Sequence, residues 1–218
     1  MTTDIGSRFT QQNLELLLLL VPVLVVSMVL HELAHAYVAN RLGDPTARML
    51  GRLTLNPLKH ADPMGTAMFA ITYLTSGFMF GWAKPVPVQP RFFNRPHQAM
   101  ALVAIAGPLV NLAIAWLIAV VYIHLVPDAT GTLLDLIGLA FGSNVILAVF
   151  NMMPIPPLDG SRVLAAVMPR EMAEAWGRLD QFGFIIIFGL LFLFPPFFQM
   201  ITAIQVPLQH LLFRLAGA

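Results

Sequence analysis

The sequence contains no cysteine and few charged residues. Without cysteine the chain forms no disulfides and offers no thiolate ligand, so any metal site must use His, Asp or Glu. Charged residues make up 11% of the 218 residues, whereas a soluble domain has about 25%. With 58% hydrophobic residues, the composition predicts a polytopic membrane protein in contact with the lipid bilayer. The formal net charge of +1 gives no reason to expect a nucleic-acid partner.

A signal-peptide cleavage site is also not recognisable near the N-terminus, so the apolar stretch after Leu14 is predicted to remain as a transmembrane helix. A crossing needs about 20 apolar residues. The candidate spans are Leu14–Asn40, Gln98–Val126, Thr132–Met153 and Phe182 to about Thr202, the last of them interrupted by a Pro-Pro pair. The short run Val206–Leu215 is interpreted as an interfacial helix or a partial span.

The apolar run Met64–Ala83 is flanked by basic residues on both sides. The loop Pro127–Gly131 has no Lys or Arg and is therefore predicted to lie outside the cell. Both ends of the region 42–97 then lie in the cytoplasm. We therefore expect Met64–Ala83 to form a re-entrant or interfacial hairpin, in a multi-pass protein of the inner (cytoplasmic) membrane.

Two short runs have strand character, Arg48–Leu55 and Val86–Phe93. Pro87 and Pro90 would confine the second run to a sheet edge, where an extended peptide can pair by strand addition. The predicted fold is thus an all-α polytopic membrane protein of about 4–6 transmembrane helices, with a re-entrant hairpin and a small membrane-associated β-ribbon. We expect a single membrane-embedded domain over residues 1–218, with a core at 14–168 and C-terminal helices at 171–218.

The run HELAH, residues 31–35, lies in the second half of the first predicted span. His31 and His35 are four residues apart, so on a helix they share one face and can bind one Zn²⁺. Glu32 between them is a candidate general base for a water molecule at that metal. Ionisable side chains in a membrane span are costly and mark functional sites, so this run predicts a metal centre in the membrane.

A catalytic zinc needs a third protein ligand. Asp159 is the best candidate on geometry, since it follows the third span on the same side as the end of HELAH, where a proline cluster breaks the helix. The alternative is that Asp159 caps a helix starting near Ser161. His60 and Asp62 are on the correct side but in a loop that is predicted to be superficial.

Three motifs in order carry a resemblance: HELAH, AGPLVN at Ala106–Asn111, and NMMPIPPLDG at Asn151–Gly160. Together they resemble the site-2 protease family of intramembrane zinc metalloproteases, peptidase M50. GRLTLNP and WAKPVPV are similar to its compact prokaryotic branch, and the likeness covers about residues 14–168.

The resemblance implies that His31, His35 and Asp159 bind zinc and that Glu32 is the catalytic base. Asn151 matches the family's asparagine near the scissile carbonyl, and Asn111 matches the asparagine of the Gly-Pro element. For both asparagines the alternative is a structural hydrogen bond between helices.

The family's activity implies an intramembrane endopeptidase that cleaves transmembrane segments of membrane-protein substrates, with an active site opening towards the cytoplasm. The sequence leaves no room for a PDZ or CBS domain, so substrate choice is expected to come from the membrane core or from a separate regulatory partner.

Two alternatives remain at this stage. One is a different membrane metalloprotease whose third ligand is Glu171 or Glu174, the only glutamates downstream. The other is a non-proteolytic membrane metal-binding protein or transporter that uses the same histidines. Zinc analysis with a cleavage assay separates these possibilities.

Overall fold

The computed structural model describes residues 11–76, 81–194 and 196–218, and these are folded mainly as α-helices. The helices are α1 (Gln11–Arg41), α2 (Thr46–Met49), α3 (Pro63–Ser76), α4 (Pro96–Leu125), α5 (Gly131–Asn151), α6 (Asp159–Ala165), α7 (Arg170–Gly177), α8 (Gly183–Leu193) and α9 (Pro196–Ala216).

Four helical stretches in this part of the chain are long and apolar enough to cross a membrane. Three of them coincide with predicted spans, namely Leu17–Arg41 in α1 together with α4 and α5. The fourth is Arg170–Leu193, which combines α7 and α8. The predicted fourth span, Phe182 to about Thr202, overlaps this stretch only as far as Leu193, where the helix ends ahead of the Pro-Pro pair that disfavours a helix.

The C-terminal helix α9 is longer than the short interfacial segment predicted at Val206–Leu215. It runs over 21 residues and buries Phe197, Ile201 and Leu212 in the main apolar core. This core is completed by residues of α4, α5 and α8, among them Val145 and Ile187. Burial of one α9 face therefore anchors the C-terminus to the helices that carry the site.

Helix α4 lies at the centre of the bundle and packs against α1, α5, α6 and α9. Its buried positions are mostly small, including Ala104, Gly107, Ala115 and Ala119. Helices in membranes associate through close backbone approach rather than through hydrophobic exclusion of water, and small residues permit that approach. The small face of α4 therefore brings α1 close enough for side chains of both helices to share one site.

Large apolar side chains cover the outer surface of the bundle. Leu18, Leu125, Ile185 and Leu193 are 73%, 72%, 68% and 82% exposed. In water such a surface would be an aggregation hazard, whereas lipid tails solvate it. Together with the four candidate spans, it identifies a multi-pass membrane protein.

The predicted β-ribbon is not confirmed, because the described residues contain no strand. Arg48–Leu55 begins in α2 and continues as a turn. Residues 84–89 have no regular secondary structure and form no strand. Pro85 and Pro87 have no N–H to donate to a ladder, and neighbouring N–H groups bind side chains instead.

The region of the predicted re-entrant hairpin begins as a helix, α3, while residues 77–80 of it lie outside the described part. An isolated antiparallel bridge pairs Ala61 with Ala83, and Gly65 packs directly against the backbone of Trp82. The two ends of this region therefore lie side by side. Its depth in the membrane stays a prediction.

Candidate metal centre

His31 and His35 point from one face of α1 into the interior of the bundle. Both are buried, and their Nε2 atoms lie 3.0 Å apart. The spacing of four residues on a helix produces this arrangement, since the helix turns every 3.6 residues. The sequence prediction that the two rings share one ligand position is consistent with this geometry.

Asp159 reaches the same place from the beginning of α6. Its Oδ2 lies 3.2 Å from Nε2 of His31 and 3.3 Å from Nε2 of His35. The alternative role of Asp159 as a helix cap is wrong, because Asp159 is the first residue of α6 and the capping position is Leu158. The next residue, Gly160, packs against the Met152 carbonyl, where a side chain would overlap the backbone. This contact holds the start of α6 against the end of α5.

The three converging atoms suit a metal ion. In tetrahedral zinc coordination with bonds of about 2.0–2.1 Å, neighbouring ligand atoms are roughly 3.3 Å apart. The observed separations of 3.0, 3.2 and 3.3 Å match this value. Oδ2 of Asp159 is buried and has no hydrogen-bond partner. A buried carboxylate oxygen without a donor is unfavourable unless a cation neutralises it.

The protons of both imidazoles face away from this point. Nδ1 of His35 lies 2.7 Å from the Val103 carbonyl oxygen, and Nδ1 of His31 lies 2.5 Å from Oδ1 of Asn111. A carbonyl oxygen only accepts, so each Nδ1 is a donor and each Nε2 keeps its lone pair. Two lone pairs and a carboxylate oxygen then face one another, which is the donor set that a metal ion requires.

Gly107 of α4 lies directly against the two histidine rings. A Cβ at this position would lie 2.5 Å from Nε2 of His35 and 2.6 Å from Nε2 of His31. Only glycine permits this approach of α4 to α1. The next residue, Pro108, is also buried in the helix interior, so α4 carries a Gly-Pro pair at the level of the site.

Glu32 lies on the side of the histidines that faces a neighbouring irregular stretch, which we call the 81–89 segment. Its Oε2 accepts a hydrogen bond of 2.9 Å from the backbone N–H of Val86. This bond orients the carboxylate and leaves the second oxygen available to accept a proton.

The 81–89 segment is held by buried charged side chains from other parts of the chain. Arg52 is 5% exposed and donates to the carbonyls of Lys84 and Pro85. Asp44 accepts the Gln89 N–H at 2.6 Å. Burial alone would raise the pKa of Asp44, but the hydrogen bonds from Gln89 and Thr46 keep that pKa below its ordinary value.

A cavity of about 1100 Å³ joins these groups. Apart from the ligands and Glu32, its wall is largely apolar and includes Met28, Met68, Val86, Val88, Leu147, Phe150, Phe184 and Ile187. Asn151 also lines the cavity, and its Nδ2 donates to the Leu147 carbonyl at 2.9 Å. The amide has a second N–H, so Asn151 can donate one more hydrogen bond.

Asn111 has a different position from Asn151. It is fully buried, is absent from the cavity wall, and contacts His31. Its Nδ2 donates to Oδ1 of Asn144 at 2.9 Å. The structural alternative, a hydrogen bond between helices, therefore describes Asn111 better than substrate contact does.

The other candidate metal ligands form contacts away from His31 and His35. Glu174 pairs with Arg170 on the surface, and Glu171 is exposed on the same helix. Nε2 of His60 contacts the Thr54 carbonyl, and Asp62 accepts the N–H of Gly65. Among the described residues, the group that can hold a metal ion is His31, His35 and Asp159. The alternative with a glutamate as third ligand is therefore wrong.

Sequence reasoning included Gly107 in a motif without giving it a role, and it missed Asn144, Ser27 and the Val86 N–H. A signal existed for Gly107, since a Gly-Pro pair inside an apolar span calls for a packing explanation. Asn144 and Ser27 are isolated polar residues in predicted spans, and such residues usually bond to one another. The Val86 N–H left no signal, because a backbone donor has no sequence signature.

The described residues thus define a multi-pass helical membrane protein in which two buried histidines, a partly buried aspartate and an adjacent glutamate converge. Residues 19–132 match the model of peptidase family M50. The chain is 43% identical over 196 residues to the protein named "Putative zinc metalloprotease YwhC" of Bacillus subtilis, covering 86% of each chain.

Two further relatives carry names of the same form. Rip2 of Mycobacterium tuberculosis (strain H37Rv) is 33% identical over 179 residues, which are 78% of this chain and 65% of Rip2. MJ0611 of Methanocaldococcus jannaschii is 30% identical over 162 residues, which are 72% of this chain and 75% of MJ0611. No solved structure gives a significant match. The chain belongs to peptidase family M50, which confirms the resemblance to the site-2 proteases.

Proposed function

We propose that this protein is an intramembrane zinc endopeptidase that cleaves transmembrane segments of other membrane proteins. The observation that carries the proposal is the meeting of two imidazole Nε2 atoms and one unpartnered carboxylate oxygen, 3.0–3.3 Å apart, beside Glu32. The family membership and the relatives named as zinc metalloproteases support the same conclusion.

His31, His35 and Asp159 are the residues that would hold the metal. A bound zinc ion supplies Lewis-acid activation of water and of the scissile carbonyl. Glu32 accepts the proton of the attacking water and later delivers it to the leaving amine. The Val86 N–H keeps the Glu32 carboxylate turned towards the cavity during both transfers. Asn151 uses its second amide N–H to stabilise negative charge on the carbonyl oxygen.

The cavity accommodates an apolar peptide in extended form. A helical substrate hides its carbonyls in backbone hydrogen bonds, so it has to unwind before attack. Pro85, Val86 and Val88 of the 81–89 segment line the cavity opposite the ligands. We propose that this segment supports the opened substrate, and that Met64–Ala83 enters the membrane beside it without crossing.

The membrane orientation is part of the proposal. Basic residues cluster at the end of α1 and around α6 and α7, on the side where the ligands lie. The positive-inside rule then favours a cytoplasmic position for this side, so the site would open from the inner (cytoplasmic) membrane to cytoplasmic water. Substrate choice would come from the membrane-embedded core or from a separate regulatory partner.

The test compares wild type with Glu32→Gln. Membranes of cells that express each form are analysed for transmembrane peptides, and those that accumulate with Glu32→Gln are then incubated with purified protein in liposomes. Wild type should cut them within the membrane segment. Glu32→Gln should retain zinc but lose cleavage by a factor of about 100 or more, the contribution of a general base.

Glu174→Gln is the matched control, since Glu174 is a half-exposed surface glutamate paired with Arg170. It should cleave as wild type does. Cleavage by Glu32→Gln at the wild-type rate would contradict the proposed base. A zinc-loaded wild type that cuts no accumulated peptide would favour a non-proteolytic metal-binding protein, and cuts only outside membrane segments would contradict intramembrane cleavage.

A further inference from the structure

A chain of buried polar side chains runs from His31 of α1 through α4 and α5 and returns to α1 one turn before His31. His31 contacts Asn111 of α4, Asn111 donates to Asn144 of α5 at 2.9 Å, and Asn144 donates to Ser27 of α1 at 2.9 Å. Asn144 also donates to the Ala140 carbonyl at 2.8 Å. Asn111, Asn144 and Ser27 are at most 3% exposed. Burying four polar side chains inside a membrane bundle is energetically costly, which indicates that they have a function beyond packing.

The direction of each hydrogen bond follows from one backbone atom. The Ala140 carbonyl only accepts, so the atom of Asn144 that faces it is Nδ2. Oδ1 of Asn144 must then face Asn111 and needs a donor, which is Nδ2 of Asn111. Oδ1 of Asn111 is left facing His31 and requires that Nδ1 of His31 carry the proton. Nε2 of His31 therefore has a free lone pair on the side of Asp159.

We propose that Asn144 is a positioning residue of the metal centre, which fixes the amide orientation of Asn111 and thereby the metal-binding tautomer of His31. Asn144 touches neither the ligands nor the cavity. Without it, the Asn111 amide can rotate and present its N–H to Nδ1 of His31. The ring then carries its proton on Nε2 and cannot bind a metal.

His35 needs no such relay. Its Nδ1 donates directly to the Val103 carbonyl, a backbone group that can only accept a hydrogen bond. The tautomer of each histidine thus depends on a backbone carbonyl. The Val103 carbonyl contacts His35 directly, whereas the Ala140 carbonyl acts on His31 through the amides of Asn144 and Asn111. The structure therefore assigns Asn111 and Asn144 as the side chains that set the tautomer at the site.

The test measures zinc affinity of the purified full-length protein by competition with a chelator. Asn144→Leu should weaken zinc binding about 10-fold, the lower end for loss of an outer-shell partner. Asn144→Asp should bind zinc as wild type does, because a carboxyl oxygen still accepts from Asn111 and keeps its orientation. A packing role alone would not distinguish the two variants by zinc affinity in this way.

A second pair of variants, at Asn111, still tests the proposal if Asn144→Leu does not fold. Asn111→Leu should lower zinc affinity about 10–100-fold. Asn111→Asp should retain it, because a carboxyl group can donate to Oδ1 of Asn144 through its hydroxyl and still accept the His31 Nδ1 proton with its other oxygen. Ser27→Ala should bind zinc normally, since the Ala140 carbonyl alone orients Asn144. Wild-type affinity in Asn144→Leu, or equal losses in Asn144→Leu and Asn144→Asp, would overturn the proposal.

This inference rests on the metal site of the proposed function but not on proteolysis. A wild-type protein that binds zinc and cleaves nothing would refute the protease and leave the relay standing. A wild-type protein that binds no zinc would refute both. The affinity differences among the four variants of Asn111 and Asn144 decide the relay by themselves.

Discussion

The two sides of the cavity are built in different ways. The helix side consists of His31, His35 and Asp159, whose side chains are aimed by regular helices and by close contacts at Gly107 and Gly160. The segment side is the 81–89 segment, whose backbone is held by the buried side chains of Arg52 and Asp44. On the helix side, regular helices determine where the side chains lie. On the segment side, buried side chains hold an irregular backbone in place.

This difference separates two properties of the site. The helix side holds the donor atoms, so it determines metal affinity. The segment side contacts Glu32 through the Val86 N–H and lines the cavity, but none of its residues belongs to the described group that can hold a metal ion. Substitutions on the helix side should therefore lower zinc content and cleavage together, whereas substitutions on the segment side should lower cleavage alone.

Gly107→Ala should have the largest effect and should act through the metal. The added methyl group would lie 2.5–2.6 Å from both imidazole rings and would displace them. Overpacking of this kind costs about 1–3 kcal/mol. Zinc affinity should therefore fall roughly 10–100-fold, as measured by chelator competition.

Gly138→Ala is the matched control. A Cβ at Gly138 would meet no atom within 4 Å, so this variant should keep zinc affinity and be slightly more stable because alanine favours a helix. Equal zinc affinities in Gly107→Ala and wild type would show that the contact between α4 and the histidines is not tight.

Arg52→Met should have an intermediate effect, on cleavage alone. Arg52 donates to two carbonyls of the 81–89 segment, and charged hydrogen bonds contribute about 1.5–3 kcal/mol. Without them the segment loses its fixed position beside Glu32, so kcat/KM should fall about 10-fold or more. Zinc stoichiometry should not change.

Arg48→Met in the neighbouring helix α2 is the control, since Arg48 is exposed and makes none of these contacts. A loss of zinc in Arg52→Met would contradict the separation of the two sides. An unchanged kcat/KM would show that the 81–89 segment does not take part in catalysis.

Asp44→Asn should have the smallest effect, visible mainly in the pH dependence of stability. The folded pKa of Asp44 is below its ordinary value of 3.8, so the unfolded state binds more protons in this range. The stabilisation is complete above pH 3.8 and is lost as the pH falls towards the folded pKa. Wild type should therefore lose more stability than Asp44→Asn between pH 5 and pH 3.

The measurement is the melting temperature in detergent across this pH range. A shift of about 2–4 °C corresponds to 1 kcal/mol in a chain of this size. Asp128→Asn, in the exposed loop between α4 and α5, should follow the wild-type curve. Parallel curves for wild type and Asp44→Asn would contradict the role of the Asp44 carboxylate in holding Gln89.

The helix side was largely predictable from the sequence. A spacing of four residues places His31 and His35 on one face of any helix, whatever surrounds it. The proline cluster before Asp159 breaks the third span on the same membrane side, which brings the carboxylate within reach. Local rules and sidedness were sufficient because each ligand belongs to a regular helix or to its first residue.

The segment side was not predictable, because its conformation depends on distant residues. Val86–Phe93 has strand composition, but its donors bind Glu32 and Asp44, 54 and 45 positions away. The relay from Asn144 to His31 was missed for the same reason, since it joins residues 33 and 80 positions apart. Such contacts depend on how the helices pack, which periodicity does not reveal.

The central claim is that His31, His35 and Asp159 together bind zinc, and X-ray absorption at the zinc edge of Asp159→Cys tests it most directly. Wild-type protein should show only nitrogen and oxygen neighbours at about 2.0–2.2 Å. Asp159→Cys should add one sulfur neighbour at about 2.3 Å. A zinc spectrum without sulfur in this variant would show that residue 159 is not a ligand and would contradict the account.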